Sequence, residues 1–169
     1  GRSRPFLNLG AYYQRKSMTE QAERYLATAE ALGDRGGLEQ NMRFNSGVVL
    51  QLKKKHPEAL KALASAEALG YTDTSLHYHR AESLFALGQF APALESFSIA
   101  LDKAEKNPLQ HSLVPTLRIR RVEAAMAAQR FDEAISGFTA LLQANPNDPR
   151  LLLGLGMARV GKGETQAAL

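Results

Sequence analysis

Cysteine is absent from the 169 residues. That removes disulfide frameworks, thiol nucleophiles and thiolate metal sites, and leaves reducing and oxidising compartments equally open. Long apolar runs are missing as well, since no stretch approaches the roughly 18 uninterrupted apolar residues of a membrane span. The start, Gly1-Arg2-Ser3-Arg4-Pro5-Phe6, lacks the apolar core and cleavage pattern of a signal peptide. An excess of one charge is lacking too: 21 Lys and Arg against 17 Asp and Glu leave +4, far from the basic balance of a nucleic-acid binder. What is there, 44% hydrophobic and 22% charged residues, is the composition of a chain that folds around a core. The last residues, Gln166-Ala167-Ala168-Leu169, read as a helix without a stop signal, which predicts an excised fragment of a longer protein.

The chain repeats itself. Ala-Glu-Ala-Leu-Gly occurs at Ala29 to Gly33 and again at Ala66 to Gly70, 37 positions on. Glu20-Gln21-Ala22, Pro57-Glu58-Ala59, Ala91-Pro92-Ala93, Asp132-Glu133-Ala134 and Gln166-Ala167-Ala168 place an alanine at intervals of 37, 34, 41 and 34. A period of this size indicates stacked repeats. With each alanine at position 20, the units run over 3–36, 40–73, 74–107, 115–148 and a truncated 149–169. Position 8 then holds Gly10, Gly47, Ala81, Val122 and Gly156, and position 24 holds Leu26, Leu63, Phe97 and Phe138. Position 27 holds Ala29, Ala66, Ala100 and Leu141, and Pro146 closes the fourth unit.

In these residues the sequence resembles the tetratricopeptide repeat family over nearly its whole length. The resemblance implies an all-helical, right-handed superhelical solenoid of antiparallel helix pairs in a single array. Small residues at positions 8 and 20 let two helix backbones approach, and large ones at position 24 fill the seam. Ser17-Met18-Thr19-Glu20 has capping-box spacing, Pro57 and Pro92 fall in the first turn of a second helix, and Gly88 suits a turn. Arg43, His77 and Arg118 stand at position 4, and Arg80 and Arg121 at position 7, where the family prefers apolar residues. Extra residues at Asp34 to Glu39 and Glu105 to Val114 either lengthen a second helix or form loops, as in the longer repeats of kinesin light chains.

Residues two apart on a helix lie about 200° apart, so with position 8 packed inward, positions 2, 5, 6, 9 and 12 face a groove built from first helices. The candidate partner-binding residues are Asn8, Asn41, Phe44, Asn45, Tyr78, His79, Glu82, Phe85, Arg120 and Glu123. At position 6, Asn8, Asn45, His79 and Arg120 read as a row of hydrogen-bond donors, with an amide carbonyl acceptor on each Asn, matching both groups of a peptide main chain. The row resembles the asparagine ladder of O-linked N-acetylglucosamine transferase and kinesin light chain. The family's carboxylate clamp for chaperone tails is not present: Leu7 and Ala11, Phe44 and Val48, or Tyr78 and Glu82 occupy its starting pair. Glu82 and Glu123 would repel a carboxylate in mid-groove, or pair with His79 and Arg120 three residues earlier.

His77 and His79 are two apart and diverge on a helix, so no metal site is expected. Ser112 beside His111 has no orienting third group, so no catalysis is expected. Lys53-Lys54-Lys55 falls at a turn, and Arg118 and Arg120 point in different directions, which argues against a nucleic-acid stripe. The expected function is therefore a non-enzymatic, cofactor-free scaffold that holds a protein or peptide in its groove. The alternative is an architectural or self-associating spacer, a homodimer formed through the open C-terminal end at Leu152, Leu155 and Leu169.

Overall fold

A computed structural model describes residues 2–33 and 38–163. The chain divides into two compact units, Gly1–Leu87 and Gly88–Leu169. The first holds α1 (Arg4–Arg15), α2 (Thr19–Ala31), α3 (Glu39–Leu52), α4 (His56–Ala68) and α5 (Thr74–Ala86). The second holds α6 (Phe90–Lys106), a 3-10 turn over Pro108–Leu113, α7 (Val114–Ala127), α8 (Phe131–Ala144) and α9 (Pro149–Lys162). Among the described residues there is no strand. In the first unit each helix packs on the next, and α1 and α5 also touch α3. In the second, α6 packs on α7, α7 on α8 and α8 on α9.

Missing side-chain volume sets the helix spacing. A Cβ on Gly10 of α1 would lie 2.8 Å from Cγ and Cδ2 of Leu26 in α2, and one on Gly47 of α3 would lie 3.0 Å from the same atoms of Leu63 in α4. Positions 8 and 24 therefore meet as hole and knob. Ala22 and Ala59 at position 20 are fully buried beside them. The pair α7 and α8 reverses the arrangement: Val122 fills position 8, and a Cβ on Gly137 opposite would come within 2.3 Å of its Cγ2. Between α8 and α9, a Cβ on Gly154 would lie 2.4 Å from Cζ of Phe138, and one on Gly161 2.4 Å from Cε1 of Phe131. The two glycines and the two phenylalanines keep the same spacing in opposite order, as an antiparallel crossing requires.

The turns share a second device. Position 15 of the repeats expected from the sequence carries positive φ five times: Ser17 (57°), Lys54 (60°), Gly88 (74°), Gln129 (57°) and Gly163 (91°). At Ser17, Lys54 and Gln129 the N–H bonds the carbonyl three residues back, and the next N–H bonds the carbonyl five back, as in Met18 N to Tyr13 O at 2.9 Å. Each closes the preceding helix in a left-handed cap. The expected capping box at Ser17 is thereby corrected. Ser17 ends α1, Met18 is the N-cap of α2, and no side chain caps that helix.

The arginines at apolar positions find carboxylates. Arg43 reaches Glu30 at 3.1 Å and Arg118 reaches Glu105 at 2.7 Å, while Arg80 makes a two-pronged ion pair with Glu67. Glu30 and Glu67 are the acidic residues of the repeated pentapeptide, so both copies of it present the partner for an arginine of the next first helix. Hydrogen bonding to Arg80 holds the Glu67 carboxyl below its ordinary range. Such partly exposed pairs stabilise by up to about 1 kcal/mol each.

The additional residues near the middle do both things the sequence allows. α6 runs on to Lys106, and Asn107 then turns extended (φ −118°, ψ 107°) because a proline follows it. Asn107 caps the 3-10 turn by accepting from the Leu109 N–H at 3.1 Å. Residues 34–37 of the other insertion lie outside the described residues.

Alanine favours a helix over glycine by about 1 kcal/mol, yet Gly137→Ala is expected to lower stability by ~1–3 kcal/mol because its methyl meets Val122. In a Val122→Ala background the same change should become neutral or stabilising. Thermal or urea unfolding of the four proteins measures this. A destabilisation by Gly137→Ala that persists without Val122 contradicts the seam.

Candidate functional site

On α1, Arg4, Asn8, Ala11 and Arg15 follow the spacing that returns to one side of a helix, and this stripe forms one wall of a groove in the first unit. Asn41, Phe44 and Asn45 of α3 form its floor, and Ser75 and His79 of α5, with Tyr71 from the preceding turn, its other wall. The groove encloses about 530 Å³.

Its aromatic part is ordered by ring contacts. Phe44 stacks on Tyr71 with centroids 4.3 Å apart and planes 12° from parallel. His79 sets its edge against Phe44 at 5.8 Å and against Tyr78 at 5.2 Å. Burial pushes the Tyr71 phenol above its ordinary value. Burial also pushes His79 down from 6.5 to about 4, so its imidazole is neutral at physiological pH. Its Nδ1 lies 2.6 Å from Gln51 Oε1. A neutral ring that donates there to the amide oxygen presents Nε2 to the groove as an acceptor. The row of donors expected at position 6 is thus altered at its third member.

The structure brings Asn8, Asn41, Phe44, Asn45 and His79 into this one groove. Asn8 is exposed and Asn41 half-buried, whereas Phe44 and Asn45 are each only 8% exposed and show the groove little more than an edge. Tyr78, Glu82 and Phe85 are half-buried on α5 and do not line it. In the second unit Arg120 and Glu123 form an ion pair along α7, with the Arg120 guanidinium 5.5 Å from the Phe97 ring centre. This is the pairing the sequence allowed between residues three apart. His79, three residues before Glu82, turns its Nδ1 to Gln51.

Arg15 and Tyr71 were not singled out from the sequence. Arg15 had a signal in its spacing from Arg4, eleven residues along the same helix. Tyr71 lies in a turn, outside any helical face. At the far end of the chain Leu152 is exposed on α9, with Leu153, Met157 and Val160, while Leu155 is half-buried and Leu169 lies outside the described residues. Among the described residues no cluster of metal-ligating side chains occurs, and no helix is long and apolar enough to cross a membrane.

The sequence profile of the tetratricopeptide repeat matches residues 55–108 and 119–169. No curated protein matches the chain in sequence. In structure the chain is similar to YrrB, a tetratricopeptide repeat protein with an unusual peptide-binding site, at TM-score 0.79 and 21% identity over 98% of this chain and 80% of that one. It is similar to MamA of AMB-1 at TM-score 0.78 and 18% identity, covering 99% and 86%. A tetratricopeptide repeat protein of Parabacteroides merdae ATCC 43184 superimposes at TM-score 0.73 and 21% identity, covering 99% and 63%. At these identities the likeness is one of fold.

The folded chain holds His79 at a lower pKa than the unfolded chain does, so the unfolded chain binds the additional proton. This linkage costs nothing above about 6.5 and removes stability progressively as pH falls toward about 4. Urea unfolding across that window should show a shallower loss for His79→Gln than for the wild type. Equal slopes would show that the imidazole is not held neutral by burial.

Proposed function

We propose that this chain, which belongs to the tetratricopeptide repeat family, is a protein–protein interaction scaffold whose first unit grips an extended peptide between α1, α3 and α5. The observation that carries this reading is the groove of about 530 Å³ lined by first-helix side chains. Its exposed and half-buried amides, Asn8 and Asn41, each offer a donor and an acceptor to a main chain. The stacked Phe44 and Tyr71 give an apolar side chain a rigid surface to cover. His79 adds a neutral acceptor. The peptide-binding site of YrrB supports asking the same of this fold.

The repeat boundaries given above belong to the same reading, with the groove built from first helices. Arg120 and Glu123 are candidate contacts of the second unit, where a charged partner would have to exchange into their ion pair. The role is binding without chemistry, and specificity comes from which side chains the peptide sets against each wall.

A photo-crosslinking side chain at Asn8, in the native cell extract, should form adducts with one or a few proteins. The same group at Arg24, on the exposed side of α2, should form none. Adducts from Arg24 alone, or equally from both positions, would place the partner on the other surface and overturn the groove.

A further inference from the structure

The groove's charges identify its ligand more closely. Arg4 and Arg15 are the only ionised side chains among the groove's lining residues. Among the described residues neither has an ion-pair partner. Both are exposed. The carboxylate beside the groove, Asp73, caps α5 by accepting from the Ser75 N–H at 2.9 Å and from its hydroxyl at 2.6 Å. Glu82, on the same helix as His79, does not line the groove.

The cationic character extends beyond Arg15. Lys53, at the end of α3, is tied at 2.7 Å to Glu23 near the start of α2, which fixes the ends of α1 and α3 at one edge of the unit. That edge therefore carries Arg15, Lys16, Lys54 and Lys55, all exposed, against the exposed Glu20 and Glu58 in the first turns of α2 and α4, and keeps a cationic excess. A groove with cations at both ends and a basic rim attracts an anionic segment and repels a basic one.

We propose that the first unit's groove takes an extended acidic peptide, with one carboxylate at Arg4, a second at Arg15 and an apolar side chain between them on Phe44 and Tyr71. The proposal rests on the groove reading above and names its ligand. The eleven residue steps from Arg4 to Arg15 span ~16 Å, which an extended peptide covers in about five residues. The acidic pair is therefore spaced about four to six residues apart. Between them the amides of Asn8 and Asn41 meet the peptide main chain. Guanidinium groups suit this task because each can hold a carboxylate through two parallel hydrogen bonds.

Selection of random dodecapeptides displayed on phage against the whole chain tests this. The enriched peptides should carry two Asp or Glu about four to six positions apart with an apolar residue between them. Their affinity, read by fluorescence polarisation, should fall roughly tenfold or more in Arg4→Glu/Arg15→Glu and weaken with added salt. Both substitutions lie on exposed positions, and unchanged thermal unfolding confirms that the variant folds. The double variant should instead enrich peptides with a Lys or Arg pair. Enriched peptides without acidic pairs that lose binding in Asn8→Ala/Asn41→Ala would overturn the acidic ligand and leave the peptide groove standing. Enrichment indifferent to all four positions, or none, would overturn both. Displacement of the acidic peptides by oligothymidylate with the same arginine dependence would show a general polyanion site and overturn the peptide assignment.

Discussion

Two helices can come close only where one of them gives up its side chain, and the rest of this structure depends on where that happens. Gly10 admits Leu26 and Gly47 admits Leu63, and each contact sets the rotation of a first helix as well as its distance from its partner. Once Gly10 and Gly47 face inward, Asn8 and Asn45, about 200° away, must face the other side. Core packing and the groove are thus two faces of one constraint. Fully burying a leucine in such a hole contributes about 1.5–3 kcal/mol, and the same contact orients the amide that would meet a ligand.

The second unit meets the same constraint differently. Val122 occupies the position that Gly10 and Gly47 hold, and the missing volume moves to Gly137 on the facing helix. Sequence position alone hides this exchange, because the family pattern places the small residue on the first helix. Phe138 and Phe131 then use Gly154 and Gly161 in the same way against α9. Turn geometry is equally repetitive: position 15 is left-handed whether it holds Ser17, Lys54, Gln129 or glycine. Three side chains tolerate that conformation because the residue's own N–H and the next one both bond back into the helix just ended.

Periodic features were legible in the sequence, and features made by single tertiary contacts were not. Residue size at positions 8, 20 and 24 recurs along the chain, so the helical fold and the groove-facing Asn8, Asn41 and His79 could be read directly. Ser17 was misread because the residues that start a helix resemble those that close the one before it. Asn45 and Phe44 have the right helical phase, but neighbouring helices cover most of each. The protonation state of His79 depends on burial beside Phe44 and on Gln51, 28 residues away, which no local spacing reveals. Tyr71 reaches the groove from a turn, where helical phase has no meaning.

The absence of cysteine makes the most direct measurement simple, since any thiol introduced is the only one. Single cysteines at Asn8, Asn41 and Ser75 in the groove, and at Arg24 and Glu58 on exposed second-helix positions, can be labelled with a maleimide in the presence and absence of a selected peptide. The peptide should slow labelling at positions 8, 41 and 75 and leave 24 and 58 unchanged. Protection at 24 or 58 with free labelling in the groove would contradict the peptide groove.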